Sequence, residues 1–148
     1  FLTMLRLARE RESLNIVDDQ IGAPTSSIEL ADATRTIVDG VLAGRYGSNN
    51  DWAGLYHMTC GGSASWRGFA RAIFARADRL LEGKAPMVCP IASVDYTTTA
   101  KRPRNSVLSN EKLFTRFGLR LASWETALDE VNLRFTEQTP GRARVKES

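Results

Sequence analysis

Leu14-Asn15-Ile16-Val17-Asp18-Asp19-Gln20-Ile21-Gly22-Ala23-Pro24-Thr25-Ser26-Ser27-Ile28-Glu29 is the stretch on which the fold turns. Residues 14–17 carry the β-branched residues of a short strand. Residues 18–25 form a loop punctuated by Gly22 and Pro24. Ser26-x-x-Glu29 then has the form of a capping box, with the Ser side chain and the Glu side chain each placed to meet a free backbone N–H. The helix it opens shows Leu30, Ala33, Ile37 and Val41 at spacings that make one apolar face, and Gly44 is a suitable terminator. A strand, a polar loop and a capped helix in direct succession point to an α/β fold.

The pattern repeats outward. The chain opens Phe1-Leu2-Thr3-Met4-Leu5-Arg6-Leu7-Ala8-Arg9, an amphipathic helix without a polar cap or an initiator Met, predicted to end near Glu12. The expectation is that this is the C-terminal portion of a longer protein. Residues 47–51 read as a polar surface loop. Residues 54–59 read as a second strand, and Gly61-Gly62-Ser63 as a turn. One helix is expected over residues 65–81, with Trp66, Phe69, Ala70, Ile73, Ala77 and Leu80 on its inner face. Residues 88–94 are extended and broken by Pro90. Leu113, Phe114 and Phe117 mark a short helix that stops at Gly118. Ser123 caps a last helix with Trp124, Leu128, Val131 and Phe135 inward. Two units follow from this: residues 1–135 as one folded portion, and residues 136–148 as a frayed tail without periodicity.

Composition narrows the class. With 43% hydrophobic and 25% charged residues in a 148-residue chain, a buried core is expected. A net charge of +3 and the lack of a basic stripe interleaved with aromatics argue against nucleic acid. No apolar run approaches the ~18 residues of a membrane span. Cys60 and Cys89 form no paired motif and read as buried free thiols in a reducing compartment, which suggests the cytoplasm. A single histidine, His57, and no Cys-x-x-Cys make a zinc site unpromising. The sequence contains no Gly-rich dinucleotide loop, no Walker A loop and no G-x-S-x-G elbow.

The chemistry that is present lies on loops. Gln20 and Thr25 offer neutral donors and acceptors suited to a sugar or base edge. The Gly61 to Trp66 turn offers backbone amides at a helix start, for which simple capping by serine is the plainer account. Ala100-Lys101-Arg102-Pro103-Arg104-Asn105-Ser106-Val107-Leu108 places cations and an amide together. Pro103 fixes its own φ and drives Arg102 extended, presetting a guanidinium for bidentate contact with phosphate. A solvated basic loop explains the same run. Asp18-Asp19 is read as shaping its loop. Trp66 and Trp124 are assigned to core packing.

Several segments together resemble one family. Residues 17–25 resemble its D-Q-x-G-x-P-T loop. Gly54-Leu55-Tyr56-His57 with residues 61–70 resembles its G-x-Y-H … S-W-x-x-F-A pattern. Residues 100–108 resemble its A-x-R-P-x-x-S-x-L signature, and Phe117-Gly118 with residues 124–128 its closing helix pair. The family is dTDP-4-dehydrorhamnose reductase, an extended short-chain dehydrogenase/reductase, and the resemblance spans residues 1–135. It implies the C-terminal, substrate-binding part of a Rossmann-type α/β fold. The implied reaction is reduction of dTDP-4-dehydro-L-rhamnose to dTDP-L-rhamnose by NADPH or NADH. The family's Gly-rich loop and Tyr-x-x-x-Lys pair are not in this chain, so no catalytic or cofactor-binding residue is assigned and the chain alone is expected to be inactive. By carry-over, Gln20 and Thr25 border the substrate site, and Arg102 and Asn105 face the nucleotide diphosphate of a dTDP-sugar. Some family members are described as magnesium-bridged homodimers; Glu29 and Glu130 are the counterparts here, but the spacing around Glu130 departs from the pattern and no metal ligand is assigned. The alternative is a non-catalytic nucleotide-sugar-binding or interaction module.

Overall fold

A computed structural model describes residues 1–47, 51–100 and 102–138. Six helices and four short strands alternate within these residues: α1 Leu2–Glu10, β1 Ser13–Val17, β2 Ile21–Gly22, α2 Ser27–Leu42, β3 Ala64–Ser65, α3 Trp66–Arg76, α4 Asp78–Leu81, β4 Met87–Ile91, α5 Glu111–Phe117 and α6 Trp124–Gln138. A single 3-10 turn, Ser93–Asp95, follows β4. The alternation is the α/β arrangement expected.

β1 and β4 pair in parallel, with Ser13 opposite Met87 and Val17 opposite Ile91. Parallel neighbours need a long crossover, and α2, α3 and α4 lie in the intervening chain. The ladder runs one step further at each end, through Met87 N–H to the Glu12 carbonyl (2.9 Å) and Asp18 N–H to the Ile91 carbonyl (3.1 Å). Pro90 sits within β4, which has no neighbour but β1 among the described residues; a strand edge is where a missing N–H is tolerated.

The core lies where α1, α3 and α6 meet β1. Ala70 and Ile73 of α3 and Ala77 just past its end are fully buried, beside Leu14 and Ile16 of β1 and Trp124, Ala127 and Leu128 of α6. Leu113 of α5 is also fully buried. Near it the Phe117 ring meets Tyr46 and Tyr56 edge-on, each at 4.9 Å between centroids. Gly40, unfavourable inside a helix, is explained by Tyr46: its ring lies 2.4 Å from where a Cβ would stand.

Several expectations need correction. α1 stops at Glu10 rather than Glu12. The helix expected over residues 65–81 is two helices. Ala77 leaves helical geometry at φ −93°, ψ 18°, and the Arg76 carbonyl is taken by the Asn132 side chain of α6 (2.9 Å). The bend lets Leu81 reach the core on the side of α1. Residues 54–59 are not a strand, because side chains rather than a neighbouring strand meet their backbone. Asn110 accepts from Thr59 N–H (3.2 Å) and donates to its carbonyl (2.8 Å), and Lys112 donates to the Leu55 carbonyl (2.9 Å). Trp66 is 49% exposed, not packed in the core. Helix α6 continues past Phe135 to Gln138. Residues 139–148, Lys101 and residues 48–50 lie outside the described residues.

The capping box is half formed. Ser26 Oγ accepts from Ile28 N–H (3.2 Å), while Glu29 turns away to accept from Ala122 N–H (3.0 Å) ahead of α6. Gly44, past the helix end, adopts φ +68° and donates to the Val41 carbonyl, the left-handed cap expected.

Candidate functional site

A cavity of about 1000 Å³ opens between the loop after β1, the start of α3 and the inner face of α6. Gln20, Thr25 and Arg102 all line it. Two loops distant in sequence, residues 18–25 and the segment at Arg102, therefore converge on one space.

The convergence depends on Ile21. Its N–H donates to the Arg104 carbonyl (2.8 Å), and its carbonyl accepts from Ser106 N–H (2.9 Å) and Ser106 Oγ (3.1 Å). On its other side Ile21 faces Ser65 of β3 across an antiparallel pair. Residues 104–106 are thus laid beside β2 like a further strand, and Arg102 is delivered to the cavity mouth.

Two adjacent carboxylates anchor the loop from opposite sides. Asp18 accepts from the Ser65 hydroxyl and from Arg67 Nη1 (3.0 Å), tying the loop to the start of α3. Asp19 accepts from Ser93 N–H and Oγ, both at 2.8 Å, tying it to the turn after β4. The Ser65 hydroxyl, ahead of Arg67, holds the Asp18 carboxyl below the usual carboxylate range. The Ser93 hydroxyl does the same for Asp19. Hydrogen bonds to the ionised form have this sign. The two residues shape the loop, as their position before a turn suggested.

The expected site residues divide by what their polar atoms are doing. Thr25 Oγ1 donates to the Ala23 carbonyl (3.0 Å) and accepts from Cys60 N–H (3.2 Å), so its hydroxyl mainly joins two loops. Asn105 does not line the cavity; its Oδ1 accepts from Val107 N–H (2.9 Å) in a local turn. Among the described residues, neither the Gln20 amide nor the Arg102 guanidinium has a hydrogen-bond or ion-pair partner. These two are free to meet a ligand. The α3 N-terminus is occupied by capping: Ser65 Oγ accepts from Gly68 N–H (2.9 Å).

The remaining lining was not legible in sequence. Trp66 and Phe69 stand one turn apart on α3, with Phe69 edge-on to Trp124 at 5.9 Å. Phe1 and Phe135 face each other at 5.3 Å and line the same space. Trp66 falls on the same helical stripe as the core residues, so spacing alone assigned it inward.

Other chemistry-bearing residues stay apart. His57 is exposed. Cys60 is buried, which pushes its thiol up, and Cys89 is half-buried; both are free. Glu29 is engaged with Ala122, and Glu130 pairs with Arg134 one turn along α6. Among the described residues no group of three or more His, Cys, Asp or Glu side chains could hold a metal. No helix among them is long and apolar enough to cross a membrane.

Residues 1–136 match the family model of the RmlD substrate binding domain. The chain is 45% identical over 130 residues to a dTDP-4-dehydrorhamnose reductase of Burkholderia thailandensis, covering 85% of this chain and 43% of the relative. It is 40% identical over 122 residues to the enzyme of that name from Sinorhizobium fredii, covering 82% and 40%. In structure it is similar to the Bacillus anthracis dTDP-4-dehydrorhamnose reductase crystallised with NADP. The TM-score is 0.74 at 31% identity, over 93% of this chain and 42% of that one. The chain thus spans about two-fifths of the length of the relatives it matches. Its α/β architecture is part of a Rossmann-type reductase fold, as the sequence resemblance implied. The converging loops, the matched residues and these likenesses agree that the chain belongs to the RmlD substrate binding domain family.

Proposed function

We propose that this chain forms the nucleotide-sugar site of an NAD(P)H-dependent reductase that converts dTDP-4-dehydro-L-rhamnose to dTDP-L-rhamnose. The observation that carries the reading is the Arg102 guanidinium, unpartnered among the described residues and lining one cavity with the Gln20 amide on backbone stitched together through Ile21. A guanidinium fork suits a diphosphate, and a neutral amide suits a sugar hydroxyl or a base edge. Asn105 contributes through the backbone bridge that sets Arg102, and Thr25 through the loop geometry around Gln20.

Reduction delivers a hydride to C4 of the sugar and a proton to its oxygen. The residues present do not fit the hydride donor: there is no Gly-rich phosphate loop and no Tyr-x-x-x-Lys in the 148 residues. The nicotinamide cofactor and the proton donor therefore belong to polypeptide outside this chain, and these residues alone have no reductase activity. A cytoplasmic setting follows from the same reading, because nicotinamide reductants act there.

The test is calorimetric titration of dTDP-rhamnose into the protein as encoded by its gene. Arg102→Ala should weaken binding by about 1.5–3 kcal/mol, the usual worth of a hydrogen bond to a charged group. Unchanged affinity would remove Arg102 from the site and the reading with it.

A further inference from the structure

Helix α3 has a second flank that the nucleotide-sugar reading does not use. Arg67, Arg71, Phe74 and Ala75 fall at i, i+4, i+7 and i+8, so they lie along one stripe. With Pro86 just before β4 and Val88 within it, they line a cavity of about 430 Å³. It shares no lining residue with the larger cavity, which meets α3 at Trp66 and Phe69. Phe74 and Pro86 are buried, and the polar part of the lining is the two arginines. Arg67 gives Nη1 to the Asp18 carboxylate (3.0 Å). Among the described residues its Nη2 has no hydrogen-bond partner, and its Nε is buried without one. An unmet buried donor is a standing cost. Arg71, one turn on, is exposed and makes no hydrogen bond or ion pair among the described residues. Like charges one turn apart on a helix disfavour each other, and the single ion pair here, Arg67 with Asp18, leaves one positive charge unmatched. An anion held between the two arginines offsets both penalties.

We propose that Arg67 and Arg71 form a second ligand site, which binds phosphate, either free or as the head group of a small ester. The donor set selects the anion. The Arg71 fork offers paired N–H groups, and Arg67 adds a donor from a second residue. A carboxylate presents two oxygens in one plane and is met by a single fork. A phosphate presents its oxygens tetrahedrally and accepts from both residues at once. The site is built from α3 and the start of β4, and it stands whether or not the larger cavity holds a nucleotide sugar.

The test follows the backbone amide signals of residues 67–75 in nitrogen-15 spectra of the protein as encoded by its gene. The Arg102→Ala background is used throughout, so that the guanidinium of the larger cavity takes no part. Inorganic phosphate, glycerol 3-phosphate and acetate are titrated in turn, with ionic strength held constant by chloride. Phosphate should move these signals saturably. Adding Arg71→Gln should weaken phosphate by roughly 10- to 150-fold, the worth of a hydrogen bond to a charged group. Its Tm should not move, because Arg71 holds nothing else in the fold. Arg71→Lys keeps the charge without the fork and should fall between parent and Arg71→Gln. Tighter binding of glycerol 3-phosphate supports the site with an ester as its occupant, and tighter binding of inorganic phosphate supports it with the free ion. Acetate binding as tightly as phosphate overturns the assignment, by pointing to an acidic side chain of a partner instead. Shifts that never saturate, or phosphate affinity undiminished in Arg71→Gln, overturn the site altogether.

Discussion

The loop at residues 18–25 and the segment at residues 102–106 meet at Ile21, yet they are held in opposite ways. In the first, side chains do the holding. Asp18, Asp19 and Thr25 each reach a different element, and the loop is pinned to α3, to the turn after β4 and to Cys60. In the second, backbone does most of the holding, through Arg104 and Ser106, and the Arg102 side chain is left without a partner among the described residues. Two polar runs that look equally busy in sequence therefore divide the work. Polar groups that are already satisfied build the cavity, and those left over are available to a ligand.

Removing what lies beneath both regions should have the largest effect. Ile73 is fully buried on α3, whose first turn carries the Asp18 anchor. Ile73→Ala should cost about 2–5 kcal/mol of stability in urea unfolding, and ligand binding should fall with it. A loss under ~1 kcal/mol would mean that α3 is not the common support.

Asn110→Ala comes next. It removes the amide that brackets Thr59 on both its N–H and its carbonyl, and about 1–3 kcal/mol of stability should go with it. If unfolding midpoints do not move, residues 54–59 have another support and the account of their missing strand is wrong.

The comparison is sharpest at Arg102. Because its guanidinium is unpaired among the described residues and the residue is exposed, Arg102→Ala should change stability by no more than about 0.5 kcal/mol. The same variant should lose ligand affinity as stated above. A thermal melt beside the titration checks this, and a marked drop in Tm would class Arg102 with the structural residues.

The smallest effect is on pH dependence. Both Asp18 and Asp19 are held below the usual carboxylate range when folded. Depressed carboxylates contribute stability that is present above the unfolded value, near pH ~4, and is lost as pH falls through the lower folded value. The slope of stability against pH should therefore steepen below about pH 4 and flatten in an Asp18→Asn, Asp19→Asn double variant. An unaltered slope would show that the two carboxylates are not the loop's anchors.

Legibility in sequence tracks how local each interaction is. Ser26 before Ile28 and Glu29, Gly44 after α2 and Ser123 before α6 are contacts within a few residues, and each forms a helix end as expected. The strand at residues 13–17 and the helix faces follow from periodicity. The larger failures are long-range. Residues 54–59 have strand composition but meet Asn110 instead of a strand. The helix through residue 77 breaks because Asn132 claims a carbonyl 56 positions away. Glu29 has capping-box spacing but finds Ala122.

By itself the sequence determined the α/β class, the family resemblance and the presence of Gln20 and Arg102 on loops, because spacing, capping and turn chemistry act within a few residues. Only the tertiary structure decided that Gln20 and Arg102 share a cavity, that Thr25 and Asn105 spend their polar atoms on the scaffold, and that Trp66 faces a ligand space rather than the core. Those outcomes depend on which groups satisfy one another across the fold. A buried polar atom that finds its partner is spent, and which one finds it is settled by distance in space.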